Sequence, residues 1–250
     1  MKINLNITLC LIWANLLNCT AHAWPLSDLH EVEWSAGIGP TWSRGDHSTT
    51  EITTQETDKN ILRHINRSTT YQVGVGYHFF QESLQTRSFL NDLFVQVNLV
   101  RNNATATGQV WAFGRSDFNA FSFQAPLRST RLMIDVEPSL FTVQHCSPYP
   151  IVGAGVSWNR ATFSENAFSA DDVSGAVALP AHTRANFAYE LGFGIRDTLT
   201  KNINISLEYL NTYLGKMTPS ATSTSTQTIL SAPSFAVRNQ NILLTLGWKF

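Results

Sequence analysis

Eight short segments alternate between apolar and polar side chains, and this period of two constrains the fold more than any other feature. Each segment spans about ten residues, the length that a tilted strand needs to cross a bilayer. Strict alternation predicts a β-strand with one apolar face. The segments are Val32–Trp42, Thr70–Phe80, Asn91–Val100, a stretch that starts near Ser129, Tyr149–Asn159, Ala185–Arg196, Ile203–Leu214 and Asn241–Phe250.

The composition favours strands that meet lipid. Charged residues make up 14% of the chain, against about 25% in an ordinary soluble domain. A transmembrane β-barrel accounts for this scarcity because only alternate residues face lipid. A soluble sandwich could bury the same apolar faces against each other, so alternation alone does not distinguish a sandwich from a transmembrane barrel. The net charge of −1 gives no electrostatic reason to expect a nucleic-acid partner.

The first residues have the pattern of an export signal. Lys2 precedes an apolar run over residues 7–17, and a small-x-small site follows at Ala21–Ala23. We expect a signal peptide over residues 1–23, cleaved after Ala23, which leaves one β-domain over residues 24–250. The alternative is a lipoprotein signal with Cys19 as its lipid anchor. Cleavage after Ala23 would leave Cys146 as the last cysteine.

The connections between the predicted strands alternate in length. Those after strands one, three, five and seven are long, at about 43–69, 101–128, 160–184 and 215–237. Outer-membrane barrels have short periplasmic turns and long extracellular loops. With the N-terminus in the periplasm, all four long connections fall on the extracellular side. Pro138 in the fourth segment is expected at a bulge or at the periplasmic end of its strand.

Aromatic residues lie near both ends of the predicted strands, as in the two interfacial girdles of a membrane barrel. The outer set comprises Trp42, Tyr71, Trp158, Phe187 and Tyr213. The periplasmic set comprises Tyr77, Phe79, Tyr149, Phe193, Trp248 and Phe250.

Taken together, "PYPIVGAGVSWN", "FAYELGFGIR", "ISLEYLNTYLG" and the ending "LTLGWKF" resemble the eight-stranded outer-membrane β-barrel family of opacity-type proteins and the outer membrane protein A barrel. The resemblance implies an all-β, antiparallel, up-and-down transmembrane barrel in the cell outer membrane. It also implies that Trp248 and Phe250 act as a signal for the barrel assembly machinery. The implied partners are outer-membrane lipid and lipopolysaccharide. The chain is expected to be a monomer. No peptidoglycan-binding domain follows the barrel, so no wall-anchoring role is expected.

The predicted inward faces carry charges of both signs. An eight-stranded interior is just wide enough for side chains to fill it, and charges away from water need partners. We therefore expect a network of ion pairs in the lumen, with a gated ion path as the alternative. His78 is expected to face inward as well, and strand glycines such as Gly153 and Gly194 are expected to make room there. The network comprises Glu33, Arg131, Asp135, Glu137, Glu190, Arg196, Glu208 and Lys249.

The chemistry of the chain favours a binding role over catalysis. No serine pairs with a histidine on adjacent predicted strands, which argues against a lipid-A-modifying enzyme. No histidine or cysteine cluster has metal-ligand spacing, and no cofactor is expected.

The second long connection is unusually aromatic. The stretch "VWAFGRSDFNAFSFQAP" offers Trp111, Phe113, Phe118 and Phe121 as a contact surface for host cells, matrix or envelope partners. Alternatively, these aromatic residues extend the flanking strands. We expect a non-enzymatic barrel with an envelope structural role and surface loops for adhesion. A small channel, a lipid-A-modifying enzyme and a soluble lipocalin-like carrier remain alternatives.

Overall fold

The structure is a computed structural model that describes residues 32–51, 57–81, 92–119, 121–139, 141–142, 145–168, 176–221 and 230–249. The expected signal peptide over residues 1–23 and the terminal Phe250 lie outside these residues. No helix in the described ranges is long and apolar enough to cross a membrane.

The described chain is almost entirely β-strand. Two 3₁₀ turns, Ala112–Gly114 and Ser116–Phe118, lie between the fifth and sixth strands. The strands are β1 (Val32–Gly45), β2 (Ser48–Glu51), β3 (Thr57–Ile65), β4 (Ser68–Gln81), β5 (Asp92–Trp111), β6 (Phe121–Ser139), β7 (Cys146–Ala167), β8 (Ala178–Thr198), β9 (Ile203–Met217) and β10 (Phe235–Lys249).

Eight of these strands close into a ring in the order β1-β4-β5-β6-β7-β8-β9-β10, all antiparallel. The ring closes between the first and last strands, where Glu33 pairs with Lys249 and Trp34 with Trp248. Over the described residues, each ring strand coincides with one of the eight alternating segments, so the predicted eight-stranded up-and-down barrel is confirmed. The extra strands β2 and β3 form a hairpin that rises from the wall between β1 and β4.

The two ends of the barrel differ. We call the end that holds Val32 and Lys249 the lower end and the opposite end the upper end. At the upper end the strands run further than the alternation predicted. β5 continues to Trp111 and β6 begins at Phe121, with 19 register pairs between them from Asp92↔Ser139 to Val110↔Phe121. Much of the ranges expected as long loops is therefore sheet.

The polarity of the two wall faces reverses along each long strand, as β6 shows. Near the lower end, Ile134 is 55% exposed on the outside while Asp135 is 2% exposed on the inside. Near the upper end the inward residues are Phe123, Ala125 and Leu127, and the outward residues between them are Gln124, Pro126 and Arg128. The lower wall thus has the apolar outer surface that lipid requires, whereas the upper wall has a polar outer surface suited to water.

Strand pairing is interrupted along two seams in the upper wall. Pairing between β1 and β4 ends at Thr41↔Ser68, and pairing between β8 and β9 ends at Tyr189↔Tyr213. Above these points the wall divides into two sheets, β2-β3-β5-β6-β7-β8 and β9-β10-β1, which are joined again near the top by the bridge Glu51↔Ser231 and by a hydrogen bond from the Ser220 N–H to the Pro180 carbonyl. Because unpaired backbone edges do not occur in hydrocarbon, the lipid-facing part of the wall ends at or below the seams.

An apolar core fills the space between these two sheets. The ring of Phe123 on β6 lies 5.9 Å from the ring of Phe235 on β10, across the barrel interior. Gly215, with φ of 78°, allows β9 to bend into the barrel, where the Leu214 carbonyl accepts hydrogen bonds from Ser157 and Asn159. The upper core comprises Ile65, Ala106, Val110, Phe123, Ala125, Leu127, Ala161, Phe163, Val177, Leu179, Leu214, Met217, Phe235 and Val237.

Candidate functional site

The lower lumen holds the charged side chains that the alternation placed inside. Each projects from the strand face opposite the apolar outer surface. Lys249 is half-buried at the lower end, and its neighbour across the ring closure is Glu33. The remaining members are buried: Glu33, Arg131, Asp135, Glu137, Glu190, Arg196 and Glu208.

Arg196 is the centre of the lower half of this lumen. Its guanidinium donates a 2.6 Å hydrogen bond to Glu137. The same guanidinium lies between two aromatic rings, 4.8 Å from the centroid of Phe94 and 4.7 Å from that of Tyr149. Glu137 also accepts a hydrogen bond from Gln96. This packing holds a cation and a carboxylate without bulk water around them.

His78 joins two carboxylates close to the lower end. Its Nε2 lies 3.0 Å from Glu33 and its Nδ1 lies 2.7 Å from Asp92. Glu33 also accepts a 2.7 Å hydrogen bond from Asn204. The inward position of His78 follows from the alternation. The role of Asp92 was not predicted, because this residue is the first of its strand and lies where the pattern starts.

A third polar group lies higher in the lumen, below the apolar core. Arg131 is wholly buried and is attracted electrostatically by Glu190 and Asp135. Asp135 accepts a hydrogen bond from Asn98, and Glu190 accepts one of 2.8 Å from Thr212. The three guanidinium nitrogens of Arg131, by contrast, have no hydrogen-bond partner among the described residues. The lower lumen therefore holds several hydrogen-bonded polar groups, and the apolar core lies above them.

Tyr149 was predicted on the periplasmic girdle, and this prediction is wrong. Its side chain is 2% exposed, faces the lumen and donates a 3.0 Å hydrogen bond to Glu208. Distance from the strand end alone places Tyr149 in the girdle. The alternation places it on the inward face, because it shares that face with Ile151 and Gly153. Gly194 on the neighbouring strand leaves the space that the phenol ring occupies.

The other girdle residues lie on the outer surface where the structure describes their side chains. Tyr71 and Phe187 near the seams are 57% and 67% exposed, and Phe193 near the lower end is 62% exposed. Trp248 of the expected assembly signal is 58% exposed beside Trp34. Its companion in that signal, Phe250, falls outside the described residues.

The four aromatic residues of the second connection divide into two kinds. Trp111 ends β5 and Phe121 begins β6, where Phe121 packs against the upper core. Phe113 and Phe118 lie on the 3₁₀ turns, are 57% and 47% exposed, and form an edge-to-face pair with centroids 5.9 Å apart. Trp111 and Phe121 therefore extend the flanking strands, as the alternative expected. Phe113 and Phe118 instead project from the turn between these strands.

A buried carboxylate anchors this projecting turn. Phe113 has φ of 55°, a strained conformation for a residue with a side chain. Its backbone N–H donates a 3.0 Å hydrogen bond to Asp58 on β3. The hydrogen bond and the edge-to-face contact with Phe118 fix the position of the ring.

Glu165, at the top of the upper core, was not singled out from the sequence. It is 8% exposed and accepts a 2.9 Å hydrogen bond from the Val177 backbone N–H. Burial raises the pKa of Glu165 to about 8; the Val177 hydrogen bond opposes this shift and the charge of Asp58 adds to it. The signal that could have found Glu165 is its spacing after Ala161 and Phe163, which places it on the inward face.

No group of three or more histidine, cysteine, aspartate or glutamate residues within the described ranges is arranged to hold a metal ion.

Comparisons with known proteins agree with this architecture. A family model described as "outer membrane protein beta-barrel domain" matches residues 14–250. No curated protein matches the chain in sequence.

Three solved structures illustrate the structural likeness. The outer membrane protease OmpT from Escherichia coli has a TM-score of 0.56 at 7% identity, over 92% of this chain and 99% of that one. Ail of Yersinia pestis has a TM-score of 0.36 at 17% identity, over 88% and 99% of the two chains. Neisserial surface protein A has a TM-score of 0.37 at 14% identity, over 88% and 97%. At such identities the likeness concerns the fold alone.

Proposed function

The chain belongs to the outer membrane protein β-barrel domain family, and from this premise we propose that it is a closed, non-conducting and non-enzymatic barrel. In this proposal its lower wall spans the outer membrane and its upper end faces the cell exterior. The barrel contributes to the structure of the envelope, and its upper surface contacts partners outside the cell.

The observation that carries the proposal is the apolar core that closes the barrel above the polar lumen. Phe123 and Phe163 stack with centroids 5.3 Å apart, and Phe235 reaches them from the opposite sheet. Each of these rings is at most 1% exposed. Ions crossing such a region would lose their water without gaining polar partners, which costs far more than thermal energy supplies.

The residues of the lumen also do not support a catalytic role. His78, the histidine predicted to face inward, has both ring nitrogens on carboxylates. An esterase would need such a histidine beside a serine hydroxyl. We therefore assign the charged lumen to the stability of the barrel.

Recordings in planar bilayers test the closed lumen. The refolded barrel, checked by its heat-dependent mobility on gels, should show no steady single-channel conductance. Steady, reproducible channel openings would overturn the closed-barrel proposal and favour the small-channel alternative.

The contact role is assigned to the pair of Phe113 and Phe118. Phenylalanine and arginine are both enriched in protein–protein interfaces relative to the rest of the surface, and the Arg115 guanidinium lies 5.1 Å from the centroid of the Phe118 ring. Cells that display a barrel with both Phe113→Ser and Phe118→Ser should bind host cells or matrix less than cells that display the unaltered barrel.

The matched control is Leu230→Ser, because Leu230 is 52% exposed at the upper end and its backbone N–H is bonded to Glu51 on β2, on the side away from β5 and β6. It should leave binding unchanged. Equal binding by the double variant and the control, at equal surface amounts, would remove the adhesion role while leaving the closed barrel intact.

A further inference from the structure

The seam between β1 and β3 contains a cleft whose rim is basic. β1 is unpaired on this side from Trp42 to Gly45, and β3 lies across the gap. The cleft has a volume of about 700 Å³. Leu62 and Ile65 supply its apolar lining, and its rim residues are Trp42, Arg44, Arg63, His64, Arg67 and Gln240.

The cations of this rim have few partners of opposite charge. Arg44, Arg67 and the neighbouring Arg238 take part in none of the ion pairs found among the described side chains. Arg44 and Arg238 are direct register partners on β1 and β10. Like charges directly opposite each other are destabilising in a sheet. Arg128 and Arg160 on β6 and β7 are opposed in the same way, so the cleft, and not the register pair, distinguishes this rim.

Aromatic rings hold two of these guanidinium groups in place. The Arg67 guanidinium carbon lies 5.9 Å from the centroid of Trp42, and that of Arg238 lies 5.9 Å from the centroid of Tyr213. Arg63 is held by a hydrogen bond to Gln109. Arg67 is therefore partly oriented at the rim, whereas the contacts of Arg238 and Arg63 lie on the sides of β10 and β3 away from the cleft.

The position of the cleft relative to the membrane surface indicates which class of ligand it binds. The cleft opens directly above the pair Thr41↔Ser68, the last point at which this part of the wall is closed. Below it, Ile38 and Tyr71 present apolar surface that is 51% and 57% exposed. A ligand here meets arginines at the surface of the outer leaflet and apolar side chains below them.

We propose that this cleft binds the phosphate groups of lipid A, the phosphorylated glycolipid of the outer leaflet. Arg44 and Arg67 bind phosphate oxygens, and the acyl chains follow Ile38 and Tyr71 down the outer wall. The inference rests on the proposed orientation of the upper end toward the exterior. It does not depend on the closed lumen, which is tested separately by conductance.

The experiment measures lipid retention by native mass spectrometry. The barrel is refolded in detergent with lipid A, with lipid A lacking its phosphates, or with phosphatidylglycerol. The test variant is Arg44→Gln with Arg67→Gln. The matched control is Arg128→Gln with Arg160→Gln, two exposed arginines that are register partners on β6 and β7, away from either seam and from the cleft.

Retention of lipid A should fall at least about tenfold in the test variant, since two charge-assisted hydrogen bonds are lost, and less than about twofold in the control. Dephosphorylated lipid A and phosphatidylglycerol should be retained weakly by all three proteins. Equal losses in test and control variants would overturn the site. Release of bound lipid A by inorganic phosphate at matched concentration would show a small-anion site and would also overturn the proposal.

Discussion

Arg196 donates a hydrogen bond of 2.6 Å to Glu137 in the lower lumen, and both side chains are buried. A buried pair of this kind adds little net stability relative to apolar residues, but removal of one partner leaves an unpaired charge. The rings of Phe94 and Tyr149 on either side of Arg196 exclude water that could otherwise solvate such a charge.

Replacement of the cation alone should therefore destabilise the barrel. Arg196→Met is expected to lower the free energy of unfolding by about 3–5 kcal/mol, measured by denaturant titration in lipid vesicles. The double variant with Glu137→Leu should recover most of this loss. If the double variant is no more stable than Arg196→Met, the ion pair does not account for the loss.

Gly194 should not tolerate a larger side chain while Tyr149 is present. A Cβ at Gly194 would lie 2.5 Å from Cζ of the Tyr149 ring. Gly194→Ala should cost about 1–3 kcal/mol through overpacking and should lower the temperature at which gel mobility changes. In a Tyr149→Ala background the same replacement should be nearly neutral. An equal cost in both backgrounds would show that the ring is not the obstacle.

Glu165 should make stability dependent on pH. Its pKa is raised from 4.5 in the unfolded chain to about 8 in the folded barrel. The folded state therefore retains a proton that the unfolded state loses between these values. This contribution to stability is greatest below pH 4.5, falls by up to roughly 1.4 kcal/mol per pH unit as the pH rises toward 8, and then levels off.

Denaturant titrations between pH 5 and about pH 9 measure this slope, and Glu165→Gln should remove this part of it. An unchanged slope in the glutamine variant would show that the pKa of Glu165 is not raised in the folded barrel.

The end of the alternation in the sequence explains which parts of the fold could be predicted. Near Ile134 and Asp135 outward residues are apolar and inward residues are polar, as in a lipid-facing wall. The membrane-spanning segments and their inward charges could therefore be predicted from the sequence. Above Ser129 this polarity reverses, because water lies outside and the apolar core inside. Short segments such as Phe123–Leu127 then resemble ordinary loop composition.

Contacts between distant strands could not be predicted in the same way. The seam at Thr41↔Ser68 depends on where β3 leaves β1 to pair with β5. The inward position of Tyr149 could have been predicted from its parity with Gly153. The proximity of Glu165 to Asp58 required the folded barrel, because the two residues lie on different sheet strands and are far apart in sequence.

The two seams predict where the membrane ends. Trp34 on the lower wall is 57% exposed on the apolar outer surface, whereas Trp111 lies at the upper end of β5. In single-tryptophan variants, lipids brominated on their acyl chains should quench the fluorescence of Trp34 strongly and that of Trp111 hardly at all. Equal quenching would place the upper wall in hydrocarbon, which its unpaired edges do not permit.

The most direct test of the sealed barrel is the reactivity of a cysteine placed in the upper core. Ala125 is 0% exposed there, and Ser116 is exposed on the projecting turn. Ala125→Cys and Ser116→Cys are made with Cys10, Cys19 and Cys146 replaced by serine, and the refolded barrels are treated with a charged, water-soluble thiol reagent. We expect rapid labelling of Ser116→Cys and no labelling of Ala125→Cys until the barrel is unfolded by heating. Labelling of the folded Ala125→Cys barrel at a similar rate would show that water reaches the core, and it would contradict a closed barrel.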